Sequence, residues 1–207
     1  GGPHPSILPL ETAANELVDI VVVGEGGITF FELVRAIEAK KSLKDIKGIA
    51  YKENGNIITT APRELLDIET LLPTPWDLVN IEKYIHSDFY LKKTDRTLDI
   101  GQTSRGCVYQ CGFCCSAALR KRMWRPMSVN KALDMIISDV QRFKLDGIWL
   151  RDDNFYLNSE RVRAICEGMV KARLRIDWYS SGTRVDSFLN LAPETIKAMK
   201  ESGAYVL

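Results

Sequence analysis

Apolar positions along this chain fall into short β-branched runs and longer stretches with a period between three and four. Ile20, Val21, Val22 and Val23 form the first run, which predicts a fully buried parallel strand. The turn Gly24-Glu25-Gly26-Gly27 follows, and Phe30, Leu33, Val34 and Ile37 then recur on one helical face. Between Gly48 and Thr60 two strand-like runs flank Asn54-Gly55, a pair that favours a two-residue hairpin turn because both residues take positive φ. Residues 61–97 hold no period; Pro62, Pro73 and Pro75 punctuate them, and Trp76-Asp77-Leu78 reads as a packing anchor.

From residue 98 the pattern repeats. Leu98 to Thr103 predicts a strand. A helix capped by Ser128 carries Val129, Leu133, Ile136, Ile137, Val140 and Phe143. Gly147 to Arg151 is a second strand, and Val162, Ile165, Cys166, Met169 and Val170 share a face of the next helix. Ile176 to Ser180 is a third strand. The last helix opens at Pro193 and closes at Gly203, with proline at the entry and glycine at the exit. Ala204-Tyr205-Val206-Leu207 begins a fourth strand. Strands alternating with amphipathic helices predict a parallel βα barrel, whose chemistry lies on loops after the strand carboxyl ends. The cysteine loop after residue 103, the Asp152-Asp153 loop and the Ser180–Arg184 loop all occupy such positions and should converge on one face. The earlier strand, glycine turn and helix follow the order of an open α/β sheet, which also binds ligands at strand carboxyl ends.

Composition narrows the function classes. Of 207 residues 45% are hydrophobic and 27% charged, enough for a globular core. Lys and Arg number 28 against 27 Asp and Glu, so charge argues for neither a nucleic-acid nor an anionic-membrane partner. Arg120, Lys121, Arg122 and Arg125 are a local exception, either a solvated surface or a face turned to an anionic substrate or cofactor. No apolar run is long enough to span a membrane, and the default expectation is a cytoplasmic protein.

The cysteines carry the chemistry. Cys107, Cys111 and Cys114 give the spacing Cys-x3-Cys-x2-Cys within Ser104-Arg105-Gly106-Cys107-Val108-Tyr109-Gln110-Cys111-Gly112-Phe113-Cys114. Three thiolates can hold three irons of a 4Fe–4S cubane and leave the fourth without a protein ligand. An open metal position is where a substrate or cofactor binds. A structural zinc site needs four ligands, and the nearby candidate is Cys115, adjacent to Cys114; His4 and His86 are distant in sequence. Five cysteines, an odd count, and no visible signal peptide argue against a disulfide framework. Cys166 lies on an apolar helix face and reads as a buried thiol. Cys115 is either buried or beside the metal.

These residues resemble the radical S-adenosylmethionine superfamily, and more closely its cobalamin-binding-domain subgroup. The resemblance rests on the cysteine loop with Phe113 before its last cysteine, on Gly1-Gly2-Pro3-His4-Pro5 followed by Asp19 to Gly26, on the hairpin, on Leu72-Pro73 with Trp76-Asp77, and on Asp152-Asp153-Asn154-Phe155. It implies a 4Fe–4S cluster on Cys107, Cys111 and Cys114, with S-adenosylmethionine on the fourth iron, cleaved to a 5′-deoxyadenosyl radical. Phe113 is then expected beside the adenine and Asp152 and Asp153 at the methionyl amine. Ser181 and Arg184 are expected near the methionyl carboxylate, and Gly2, Gly24 and Gly26 at the nucleotide tail of cobalamin. For each acid and glycine a plain helix-entry or turn role competes, and Arg184 reads equally as a surface arginine. Tyr109 and Tyr179 read as buried aromatics ahead of cavity lining.

The implied fold is α/β. Residues 1–45 would be the C-terminal part of a cobalamin-binding domain, 46–97 a hairpin and proline-containing connector, and 98–207 the N-terminal half of a radical S-adenosylmethionine partial barrel. Both ends would then fall inside domains, so the chain reads as part of a larger enzyme. The implied function is a cobalamin-dependent methyltransferase acting on a small-molecule substrate, with an electron donor such as flavodoxin or ferredoxin. The alternatives are a cobalamin-dependent cyclase or rearrangement enzyme, and a non-catalytic zinc module. Two departures stand out. The family often has Gly-Glu-Gly-Glu where this chain has Gly24-Glu25-Gly26-Gly27, and no Asp-x-His-x-x-Gly cobalt-ligand motif is present.

Overall fold

The computed structural model describes residues 1–87, 94–180 and 182–205. It has an α/β fold that separates into two compact units, one of Gly1–Leu66 with Tyr109–Arg122, the other of Asp67–Val108 with Met123–Leu207.

In the first unit helices α1 (Pro3–Ile7) and α2 (Pro9–Ala14) precede strand β1 (Ile20–Val22), helix α3 (Gly26–Glu38) and strands β2 (Ile49–Glu53) and β3 (Asn56–Thr59). The strands form one antiparallel sheet in the order β1-β2-β3, with Val21 opposite Ala50 and Tyr51 opposite Ile58. The hairpin turns as its sequence predicts, with φ of 52° at Asn54 and 80° at Gly55. The run at Ile20 is not the parallel strand expected of it. It pairs antiparallel with the hairpin, because a β-branched run specifies a buried strand without specifying the direction of its neighbour. The helical face also needs correction: Leu33 is buried against Ile46, Ile49 and Tyr51, while Phe30, Val34 and Ile37 remain exposed. Arg63 holds this unit from the side by donating to Thr29 Oγ1 at 2.7 Å and pairing with Glu32. The return segment contributes helix α4 (Ser116–Arg120), which packs against α1.

The second unit is built on strands β4 (Thr97–Gly101), β7 (Gly147–Leu150) and β8 (Asp177–Ser180), all parallel in the order β4-β7-β8. Helices α5 (Val129–Phe143), α6 (Ser159–Lys171) and α8 (Pro193–Glu201) lie in the connections, and α7 (Val185–Leu189) follows β8. A two-residue ladder joins β5 (Ser104–Arg105) to β6 (Arg125–Pro126). Strand alternation divides the sheet. Leu98, Ile100, Ile148, Leu150 and Trp178 face a core completed by Ile136, Ile165 and Met169. Each such side chain, fully buried, is worth about 1.5–3 kcal/mol. Asp99, Trp149 and Tyr179 stand in register on the opposite face. Ser128 caps α5 by accepting from the Lys131 amide at 3.2 Å. The Trp76 anchor meets the Phe143 ring edge-on at 6.3 Å and donates to Asp139 at 3.2 Å.

Gly203 ends α8 with φ of +92°, and a β-carbon there would stand 2.1 Å from the Ile176 carbonyl oxygen. That close approach lets Ala204 bridge in parallel to Trp178, the start of the expected fourth strand; Val206 and Leu207 lie outside the described residues.

Candidate functional site

Two acids at the end of β7 determine how the chain enters the cysteine loop. Asp152 is buried, and its carboxylate accepts from the Thr103 amide at 3.1 Å, from Thr103 Oγ1 at 2.9 Å and from the Ser104 hydroxyl. Burial pushes its pKa up, and the Ser104 and Thr103 hydrogen bonds act against that rise. Asp153 accepts from the Gly106 amide, the residue before Cys107, at 2.7 Å. Both acids are therefore engaged in holding the backbone that leads to the cysteines. They can do so because β4 and β7 are neighbours whose carboxyl ends lie side by side.

Arg161, which the sequence reading passed over, completes this bracing. It is buried, donates to the carbonyls of Thr103 at 2.9 Å and Met127 at 3.2 Å, and lies 5.9 Å from the centre of the Trp124 ring. Burial lowers its pKa, opposed by the charge of Asp152. A signal was available, since Arg161 stands at the i, i+4 position from core residue Ile165. The strand ends also hold buried polar atoms with no hydrogen-bond partner among the described residues: Asn154 Oδ1, Tyr156 OH and Ser180 Oγ. On the sheet face away from the helices, Arg151 pairs with Asp99 and stacks 4.1 Å over Trp149, which meets Tyr179 edge-on at 5.0 Å. Tyr179 is half-buried in this row.

None of the five cysteines forms a disulfide. Cys107 and Cys111 are half-buried, Cys114 and Cys115 exposed, and Cys166 buried as its helical position predicts. The Cys114 amide donates to the Cys111 carbonyl at 3.0 Å, which turns the loop toward α4. Phe113 is 93% exposed. Among the described residues no group of three His, Cys, Asp or Glu side chains is gathered tightly enough to hold a metal ion. The donor set nonetheless fits a cluster: three reachable thiols outside any disulfide, the soft ligands of iron–sulfur centres, lie on one short loop. Metal sites of this kind commonly close only as the metal binds.

In the first unit, Ser6 ties two of the predicted glycines together by accepting from the Gly24 amide at 2.8 Å and donating to the Gly2 carbonyl at 2.7 Å. Neither glycine lines the cleft of about 860 Å³ that runs along β1, which is bounded by Gly1, Gly26, Gly27, Phe30, Leu33 and Ile37. Gly26 does line it, and a β-carbon there would come within 2.9 Å of Val22. Glu25, between the glycines, has a side chain only 5% exposed; it pairs with Arg120 at 2.7 Å and accepts from the Leu66 amide at 3.0 Å. In the second unit, Arg184 forks onto Asp186 with both contacts at 2.8 Å. Ser181 lies outside the described residues.

No protein-family model matches the chain. It is 34% identical over its whole length to an uncharacterized methyltransferase of Pyrococcus horikoshii and covers 43% of that protein. It is 25% identical, over 99% of its length and 42% of the relative, to a cytidylyl-2-hydroxyethylphosphonate methyltransferase of Streptomyces wedmorensis. Among solved structures it resembles the cobalamin-dependent S-adenosylmethionine radical enzyme OxsB with aqua-cobalamin and S-adenosylmethionine bound. The TM-score is 0.66 at 26% identity, over 97% of this chain and 29% of OxsB. The chain thus spans less than half the length of these relatives. With its cysteine loop and its parallel sheet, the chain is similar over nearly its whole length to cobalamin-dependent radical S-adenosylmethionine enzymes.

Proposed function

We propose that this chain supplies the cluster loop and part of the cofactor surroundings of a cobalamin-dependent radical S-adenosylmethionine methyltransferase. In this reading residues 1–45 end a cobalamin-binding domain, 46–97 are a hairpin and connector, and 98–207 open a partial barrel. The observation that carries it is a loop of three thiols outside any disulfide, Cys107, Cys111 and Cys114, whose entry is held by two acids at the next strand end. Those thiols would hold the cluster. When bound, the cluster and cobalamin supply the one-electron cleavage of S-adenosylmethionine and a carrier for the methyl group.

The protein's own residues bind and orient. Asp152 fixes Thr103 and Ser104, and Asp153 fixes Gly106, so that Cys107 leaves β5 in one direction. An exposed Phe113 is available to an adenine face, and Arg184 would exchange Asp186 for the methionyl carboxylate, with Ser181 beside it. The first-unit cleft, with Gly26 at its rim, offers the close backbone approach that a nucleotide tail needs, and the Ser6-linked Gly2 and Gly24 would support it. The substrate is a small molecule, and a flavodoxin or ferredoxin in the cytoplasm would deliver electrons.

The test is electron paramagnetic resonance of the full-length protein, reconstituted anaerobically and reduced, with and without S-adenosylmethionine. We expect a 4Fe–4S signal that shifts on adding the cofactor and disappears in Cys111→Ala. One zinc per chain and no cluster would replace the proposal with a metal-binding module. A cluster with bound corrinoid and a cyclised, unmethylated product would replace methyl transfer with ring closure.

A further inference from the structure

The pair of Glu25 and Arg120 joins two places that the sequence keeps 95 residues apart. Arg120 closes α4, which begins directly after Cys115, so its position sets how the cysteine loop leaves toward the rest of its unit. Glu25 sits in the turn between β1 and α3, at the carboxyl end of a strand. The pair is not an ordinary surface contact, for its side chains are 5% and 24% exposed. A carboxylate so enclosed requires charged and hydrogen-bonding partners. Glu25 has both: the Arg120 guanidinium at 2.7 Å on one oxygen and the Leu66 amide at 3.0 Å on the other. The packing of α1 on α4 adds a second attachment of the same segment. α4 itself is only five residues long and is followed by Lys121 and Arg122 at φ of 53° and 57°. A helix so short does not hold its direction alone.

We propose that Glu25 and Arg120 are positioning residues for the cysteine loop. Their ion pair anchors α4 to the glycine turn and so fixes the direction from which Cys111 and Cys114 present their sulfurs. The proposal rests on the cluster reading above. The pair does not ligate iron. It restricts the loop, so that iron, once held, offers its open position to S-adenosylmethionine in one orientation.

The experiment uses the full-length protein with Arg120→Ala, Glu25→Gln, Arg120→Lys and the exchanged double variant Glu25→Arg with Arg120→Glu. Iron content after anaerobic reconstitution, the S-adenosylmethionine concentration that half-shifts the resonance signal, and hydrogen exchange of residues 111–120 in metal-free protein are measured. Arg120→Ala and Glu25→Gln are expected to keep iron within about twofold, to need at least about tenfold more S-adenosylmethionine, and to lose exchange protection across the loop. Arg120→Lys and the exchanged pair are expected to recover part of both. Single variants that respond to S-adenosylmethionine and exchange like the parent would overturn the proposal. So would folded variants that bind no iron, which would make the pair part of cluster assembly. Should Arg120→Ala fail to fold, the isosteric Glu25→Gln decides. A parent protein without a cluster would sink the cluster reading, while the exchange measurement would still report on the pair.

Discussion

A single residue's surroundings decide which of five identical side chains can act. Cys166 is enclosed between α6 and the sheet, and burial pushes its thiol up to about 11, against a hydrogen bond with Ser202. Thiolate is the reactive form, so alkylation of the native, metal-free protein at pH 8 should label Cys166 at least about tenfold more slowly than Cys114. Peptide mass spectrometry reads this directly, and equal labelling would contradict the enclosed position. The contrast was legible in the sequence, since Cys166 shares a helical face with Val162 and Met169. The work of Asp152 was not. Two acids after a strand look alike in sequence. Asp152 turns inward to Thr103 and Asp153 to Gly106 only because β4 lies beside β7 in space.

At the scale of elements, the signals that held were those tied to stereochemistry. Ser128 at the start of α5, Asn54-Gly55 in the hairpin and Pro193 with Gly203 around α8 each demand one backbone geometry, and each appears as read. Gly203→Ala should test this severely: a positive φ and a 2.1 Å approach to Ile176 together predict a loss of about 2–4 kcal/mol, seen as an earlier thermal transition by circular dichroism. An unchanged transition would mean that the turn relaxes at little cost. What the chain concealed was pairing. The direction of β1 follows from the hairpin it meets, and the β5–β6 ladder, two residues a side, is too short to leave a periodic trace. The exposed stripe of α3 was hidden for the same reason: periodicity marks an apolar face and is silent about what covers it.

For the molecule as a whole, each unit has an apolar core of its own. Trp178 is fully buried in the larger one, its indole donating to Ser202 at 3.0 Å and meeting Phe155 edge-on at 5.6 Å. Trp178→Ala should cost about 3–5 kcal/mol and accelerate hydrogen exchange at Ile148 and Leu150, with little effect on the hairpin amides between Ala50 and Thr59. Equal acceleration in both regions would show one cooperative unit instead of two. The parallel sheet has a further consequence. Parallel α/β sheets bind ligands at strand carboxyl ends, so the other rim, where α5 turns at Lys144 and α6 at Arg173, lies opposite the proposed site. A spectroscopic label or affinity handle grafted beside the exposed Arg173 lengthens a surface turn, at about 0.6 kcal/mol for each doubling of its length. That rim gives the experimenter a grip on the protein well away from its reactive end.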